Sequence, residues 1–123
     1  MRFFACAASI FFCVTSASAE DRMTIDFSFN GTKGCVSLYP NPEIRITHAP
    51  PGTRKVLLRL IGPKNRELGG QETELPANGI VPAGSIRTFA PCNQGFYTYQ
   101  AIVKAKDGAT IATAEMPRFF PFE

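Results

Sequence analysis

The sequence predicts an all-β protein, an antiparallel two-layer β-sandwich with few or no helices in its mature domain. Short apolar stretches alternate with a period of two, Gly- and Pro-rich turns separate them, and no stretch after residue 20 combines sustained helical periodicity with helix caps. The sequence holds no internal repeats and no low-complexity linkers. A single domain is therefore expected.

The first 19 residues have the layout of a secretory signal peptide, which we expect to be helical. Arg2 precedes an apolar run, and Ala17-Ser18-Ala19 supplies a small-residue cleavage site. An uncleaved anchor is the alternative, but the run is short for a membrane span of roughly 20 residues. Residues 1–19 are thus predicted as a signal peptide and residues 20–123 as one domain, periplasmic or secreted, with no stable membrane anchor after cleavage.

The first half of this domain shows three strand patterns. Large apolar side chains alternate with polar ones from residue 23 to 29, and residues 43–47 repeat the pattern. Residues 55–61 are apolar on both faces apart from Arg59, which predicts a central strand. Residues 62–70 are predicted to form a long polar connection, a place where function often resides.

The second half predicts further short strands and a closing hairpin, at residues 71–75, 80–81, 96–105 and 109–116. Asp107-Gly108 is a favoured hairpin turn sequence, so the last two strands should pair antiparallel. The tail at residues 117–122 is rich in aromatic residues, and we expect it to pack back onto the domain.

Four cysteines divide between the two predicted parts of the chain. Cys6 and Cys13 lie in the signal peptide, which leaves Cys35 and Cys92 in the mature domain. An even number of cysteines is typical of disulfides in exported proteins, although two free buried thiols are the alternative. We expect a Cys35–Cys92 disulfide.

The sequence offers little catalytic or metal-binding chemistry, so no enzyme and no cofactor are expected. His48 is the only histidine, which excludes a two-histidine metal site, and no serine stands in a Gly-x-Ser-x-Gly motif. Glu72 and Glu74 would share one strand face, and such a pair is more typical of a solvent-exposed strand than of a metal site or a general acid/base pair. No cation cluster extends beyond Arg54-Lys55, so a nucleic-acid partner is not expected.

Several short motifs stand in the order in which they occur in one known family. They are Asn41-Pro42-Glu43-Ile44-Arg45-Ile46 after Cys35, Ala49-Pro50-Pro51-Gly52-Thr53, Leu68-Gly69-Gly70, Val81-Pro82-Ala83-Gly84-Ser85 and Ala90-Pro91-Cys92-Asn93-Gln94-Gly95. From about residue 35 to 121, the chain resembles small exported bacterial members of the phosphatidylethanolamine-binding protein family. The resemblance implies an antiparallel β-sandwich.

The same resemblance implies a pocket, because that family binds anions such as phosphate head groups near its His-Gly-Gly and Gly-Pro-Cys-Pro-Pro segments. Here Leu68 replaces the loop histidine, and Gly62-Pro63-Lys64-Asn65 replaces an acidic stretch. The family's imidazole donors are therefore missing, and a degenerate anion pocket is expected. Its implied ligand-binding residues are Gly69, Gly70, Pro91, Cys92 and Tyr97.

The sequence thus predicts an exported, non-enzymatic binding protein with a small ligand. The alternative is a secreted protein-interaction or inhibitor module that binds an extracytoplasmic protein through the 62–70 loop. An enzyme would have to rest on Glu72, Glu74 and His48 alone.

Overall fold

The computed structural model describes residues 22–35 and 39–123 and shows two antiparallel sheets packed face to face. The predicted all-β sandwich is confirmed, whereas the predicted signal peptide lies outside the described residues. Within these residues the strands are β1 (Thr24–Asp26), β2 (Ile44–Thr47), β3 (Lys55–Gly62), β4 (Arg66–Glu74), β5 (Ile80–Val81), β6 (Gly95–Lys104) and β7 (Thr110–Phe120). No helix in this part of the chain is long and apolar enough to cross a membrane.

The smaller sheet has the strand order β1-β2-β5 and the larger sheet the order β4-β3-β6-β7. In the larger sheet, Leu58 of β3 lies opposite Gln71 of β4 on one side and Ala101 of β6 on the other. Strand β3 is therefore interior, as its two apolar faces predict. Its residues Val56 and Leu60 are completely buried beside Leu58.

The core lies between the sheets and is rich in aromatic rings. The four alternating apolar residues Met23, Ile25, Phe27 and Phe29 are all buried, although only Thr24–Asp26 pairs as a strand. The rings of Phe27 and Tyr99 meet edge to face at a centroid distance of 4.9 Å. Such edge-to-face pairs add to the free energy gained by burying the rings.

The predicted long connection at residues 62–70 is wrong. Only Pro63–Asn65 forms a short 3-10 turn, and β4 begins at Arg66. The polar sequence of residues 62–70 suggested a loop because β4 is an edge strand whose residues are exposed or half-buried. A strand without a buried face lacks the alternation that identifies strands.

The closing hairpin is confirmed, but its second strand continues further than predicted. Strand β7 includes Pro117, which lies opposite Thr98. Proline is tolerated there because β7 is an edge strand. The predicted packing of the tail holds for Phe120, which is buried against Phe29, whereas Phe122 remains exposed.

Candidate functional site

A cleft of about 1210 Å³ opens at the end of the larger sheet where β3 ends and β6 begins. Its lining residues come from three segments that are distant in sequence. They are Cys35, Gly62, Pro63, Lys64, Arg66, Glu67, Leu68, Phe89, Ala90, Cys92, Asn93, Gln94 and Tyr97. A concave site of this size with a largely apolar lining suits a small-molecule ligand.

The first wall is the tight connection from β3 to β4. Lys64 and Asn65 both have left-handed backbone conformations, with φ of 63° and 58°, which turn the chain back within three residues. At Gly62, a β-carbon would lie 3.1 Å from Leu68 Cδ1 and 3.3 Å from Tyr97 Cε2. Glycine at position 62 therefore allows Leu68 and Tyr97 to pack closely against the backbone at this end of the cleft.

The second wall contains the predicted disulfide, which is confirmed. Cys35 and Cys92 are bonded, with an S–S distance of 2.08 Å and a Cα–Cα distance of 4.9 Å. A β-carbon at Gly34 would collide with the carbonyl oxygen of Pro91, so glycine allows the two backbones to approach. Cys6 and Cys13 lie outside the described residues.

The floor of the cleft is held by hydrogen bonds and ring packing. Tyr97 is buried, packs edge to face against Phe29 and donates its hydroxyl to the carbonyl oxygen of Asn93 at 2.8 Å. The N–H of Phe89 donates to the carbonyl oxygen of Leu68 at 2.8 Å and ties the segment before the disulfide to β4. The Phe89 ring is nevertheless 68% exposed.

The charges around the cleft are unbalanced. Glu67 is engaged by Arg59, whose Nη2 lies 2.7 Å from Glu67 Oε1. Lys64 and Arg66 are exposed, and neither has an ion-pair partner among the described residues. The cleft therefore offers two cations to an anionic group, over a mainly apolar lining.

Of the five residues implied by the family resemblance, Cys92 and Tyr97 line the cleft, whereas Gly69, Gly70 and Pro91 are not among its lining residues. Gly69 and Gly70 belong to β4, and a β-carbon at Gly70 would lie 2.6 Å from the carbonyl oxygen of Leu58. Pro91, which precedes Cys92, is fully buried. These three residues shape the backbone around the cleft.

Sequence reasoning missed Lys64, Arg66 and Phe89 as site residues. The sequence does show that Gly62-Pro63-Lys64-Asn65 differs from the acidic stretch of the resembled family. We interpreted this difference only as the loss of acidic residues and not as the introduction of a positive charge at Lys64. Phe89 carries no signal, because only the tertiary fold brings residue 89 beside the β3–β4 turn.

The residues on which an enzyme would rest lie apart from this cleft. His48 is exposed on the bend after β2, and Glu72 and Glu74 are exposed on β4. A hydrogen bond and the charge of Lys104, with Nζ 3.0 Å from the carboxylate, lower the pKa of Glu72. Among residues 22–35 and 39–123, no cluster of histidine, cysteine, aspartate and glutamate is able to hold a metal ion.

A buried pair of hydroxyls lies deeper in the core. Tyr99 and Thr88 are both buried, and within the described part of the chain neither hydroxyl makes a hydrogen bond of good geometry. Burial raises the pKa of Tyr99 well above its ordinary value and outweighs the opposite effect of the neighbouring Thr88 hydroxyl. Tyr99 is therefore a neutral core residue.

The disulfide indicates a non-cytoplasmic compartment, because reducing conditions in the cytosol keep such thiols unpaired. No family model, curated protein or solved structure matches the chain. The resemblance to phosphatidylethanolamine-binding proteins stays a prediction, and a β-sandwich alone does not identify a function.

Proposed function

We propose that the protein is an exported, non-enzymatic binding protein, periplasmic or secreted, that holds a small ligand in the cleft beside the disulfide. The observation that carries the proposal is an open cleft with a mainly apolar lining and two cations, Lys64 and Arg66, that lack ion-pair partners among the described residues. A relationship to the phosphatidylethanolamine-binding proteins is part of this proposal, and the altered pocket residues make it a distant one.

The chemistry of the lining favours a largely apolar ligand with one anionic group. Leu68, Phe89 and Tyr97 offer hydrocarbon surface, which provides most of the binding free energy in such sites. Lys64 and Arg66 then orient the anion. Both cations are exposed, so each is expected to contribute no more than about 1 kcal/mol, with strong salt dependence.

The dye anilinonaphthalenesulfonate is a suitable probe, since it joins aromatic rings to one sulfonate. Its fluorescence should rise in a saturable way with the folded protein, and the affinity should fall about five-fold when Lys64→Gln and Arg66→Gln are combined. The matched control combines Arg54→Gln with Lys106→Gln, two exposed cations outside the cleft. Circular dichroism melts would verify that every variant is folded, because partly folded proteins also bind this dye.

A second variant tests the position of the site without changing charge. Gly62→Leu places a side chain toward Leu68 and Tyr97 and should abolish saturable binding. Ala77→Leu, on an exposed turn away from the cleft, is its control. Unchanged dye affinity in a folded Gly62→Leu protein would show that the cleft is not the binding site.

The alternative, a protein-interaction module acting through residues 62–70, is less well supported. Most of this segment is strand β4, and Gly69 and Gly70 pack against neighbouring backbone. The part that projects is the short turn Pro63–Asn65, which already forms a wall of the cleft.

A further inference from the structure

The chain contains three turns in which asparagine or aspartate precedes glycine, and one of them differs from the other two in its hydrogen bonds. At Asn78-Gly79, the N–H of Gly79 donates to the carbonyl oxygen of Pro76 at 2.9 Å. The Asn78 Oδ1 accepts the N–H of Ile80 at 3.0 Å. Gly79 is also buried, so both the glycine nitrogen and the asparagine side chain are held in place.

The turn at Asp107-Gly108 is held in the same way. The Gly108 N–H donates to the carbonyl oxygen of Ala105 at 2.9 Å, and Asp107 Oδ1 accepts the N–H of Ala109 at 3.0 Å. In both turns a side-chain oxygen accepts a hydrogen bond from the N–H of the residue after glycine. The glycine N–H itself donates to the backbone carbonyl oxygen of the residue three positions earlier.

Asn30-Gly31 is different. The turn is closed by the N–H of Thr32, which donates to the carbonyl oxygen of Phe29 at 2.9 Å, so the Gly31 N–H belongs to the central peptide and faces away from that bond. Gly31 has φ of +80°, and a β-carbon added to it would have no atom within 4 Å. Among the described residues, neither the Gly31 N–H nor the Asn30 carboxamide has a hydrogen-bond partner, and both residues are exposed.

We propose that Asn30 is a site of spontaneous deamidation in the folded protein and that Asn78 is protected. The Gly31 nitrogen, after losing its proton to hydroxide or a buffer base, forms a bond to Asn30 Cγ, and the Cγ–Nδ2 bond breaks with loss of ammonia. Water then opens the resulting succinimide at either carbonyl, which leaves aspartate or isoaspartate. Glycine at position 31 favours the step because it has no side chain to obstruct ring closure.

The selectivity follows from the hydrogen bonds. The Gly79 nitrogen can act as a nucleophile only after its bond to Pro76 is broken and the Asn78 carboxamide leaves Ile80, which requires local opening of the turn. At Asn30 no such bond has to break. Deamidation at Asn30 would also place a new negative charge in a polar recess that holds Asp26 and Arg118.

The test is incubation of the purified, disulfide-bonded protein at mildly alkaline pH in ¹⁸O-labelled water, followed by tryptic digestion and mass spectrometry. Cleavage after Arg22, Lys33, Arg66 and Arg87 places Asn30 in peptide 23–33 and Asn78 in peptide 67–87. Heavy oxygen marks conversion during the incubation, and enzymatic methylation counts isoaspartate. A parallel sample is reduced and unfolded in urea.

In the folded protein, Asn30 should convert at least about ten-fold faster than Asn78, and the two rates should approach each other in urea. Equal rates in the folded protein would overturn the proposal. A rate ratio in urea as large as that in the folded protein would overturn it as well, because the selectivity would then come from local sequence and not from the turn hydrogen bonds.

Discussion

Asn41 is the residue whose replacement tests the architecture most sharply. It is 3% exposed, and its side chain makes four hydrogen bonds. Oδ1 accepts the N–H groups of Ser85 at 2.8 Å and Ile86 at 2.7 Å, while Nδ2 donates to the carbonyl oxygens of Pro42 and Pro82, both at 3.0 Å. One side chain thus joins the loop before β2 to the loop after β5.

Replacing Asn41 with alanine should destabilise the domain by about 3 kcal/mol. The N–H groups of Ser85 and Ile86 lose the one acceptor that they have among the described residues, at about 1–2 kcal/mol for each. For a domain of this size the Tm would fall by on the order of 15 °C. Urea unfolding followed by circular dichroism measures the change.

Asn41→Asp gives a pH signature that a simple packing defect would lack. The aspartate keeps both N–H donors, which favour its charged form, but it is buried and its second oxygen faces the carbonyl oxygens of Pro42 and Pro82. We expect burial and this repulsion to outweigh the two donors and to raise the pKa of the new carboxyl above its ordinary value. Because the folded pKa exceeds the unfolded one, the protein should regain stability as the pH falls from about 7 to 4. The protonated carboxyl can then donate to one of the two carbonyls.

Asn78→Asp is the matched control. Asn78 is exposed, and its Oδ1 only accepts the N–H of Ile80, so an aspartate preserves the contact and stability should change little. The reasoning is refuted if Asn41→Ala costs less than about 1 kcal/mol. It is equally refuted if the stability difference between Asn41→Asp and the parent protein does not narrow in acid.

Three further predictions concern the core, the disulfide and the β3–β4 pair. Because burial raises the pKa of Tyr99, the unfolding free energy should fall above pH 10 by up to about 1.4 kcal/mol per pH unit. Urea unfolding measured at a series of alkaline pH values should lose this decrease in the Tyr99→Phe variant. Replacing Cys35 and Cys92 together by serine should cost about 4 kcal/mol in urea unfolding for a sequence separation of 57, and a loss below about 1 kcal/mol would contradict the chain-entropy argument. Gly70→Ala should cost more than about 2 kcal/mol in the same assay because its β-carbon would press on the carbonyl oxygen of Leu58, and an unchanged midpoint would show that β4 can shift freely.

The sequence was sufficient to predict the interior of the fold. Alternation identified β3 as a central strand, and Asp107-Gly108 placed the closing hairpin, because both signals are local and depend on burial of one or two faces. The second half of β4 lies within the predicted strand at residues 71–75, whereas its first half at 66–70 was predicted as a connection, because it runs along the sheet edge and lacks apolar alternation.

The site was harder to predict because its parts meet only in three dimensions. The same is true of Asn41, which lies outside the cleft and whose partners Ser85 and Ile86 are more than forty positions away in sequence. The cleft likewise joins residues from position 35 to position 97. Gly69 and Gly70 were assigned to it through family resemblance, whereas local packing uses them to hold β4 against its neighbours.

Under the proposed function, the position of the disulfide determines when the cleft is complete. Cys35 and Cys92 both line the cleft, so one of its walls is completed by a covalent bond of a kind that is rare in a reducing cytosol. A newly synthesised chain would therefore carry an unfinished cleft until it reached an oxidising environment. If the proposed function holds, the completed cleft would first encounter the small molecules of that oxidising compartment.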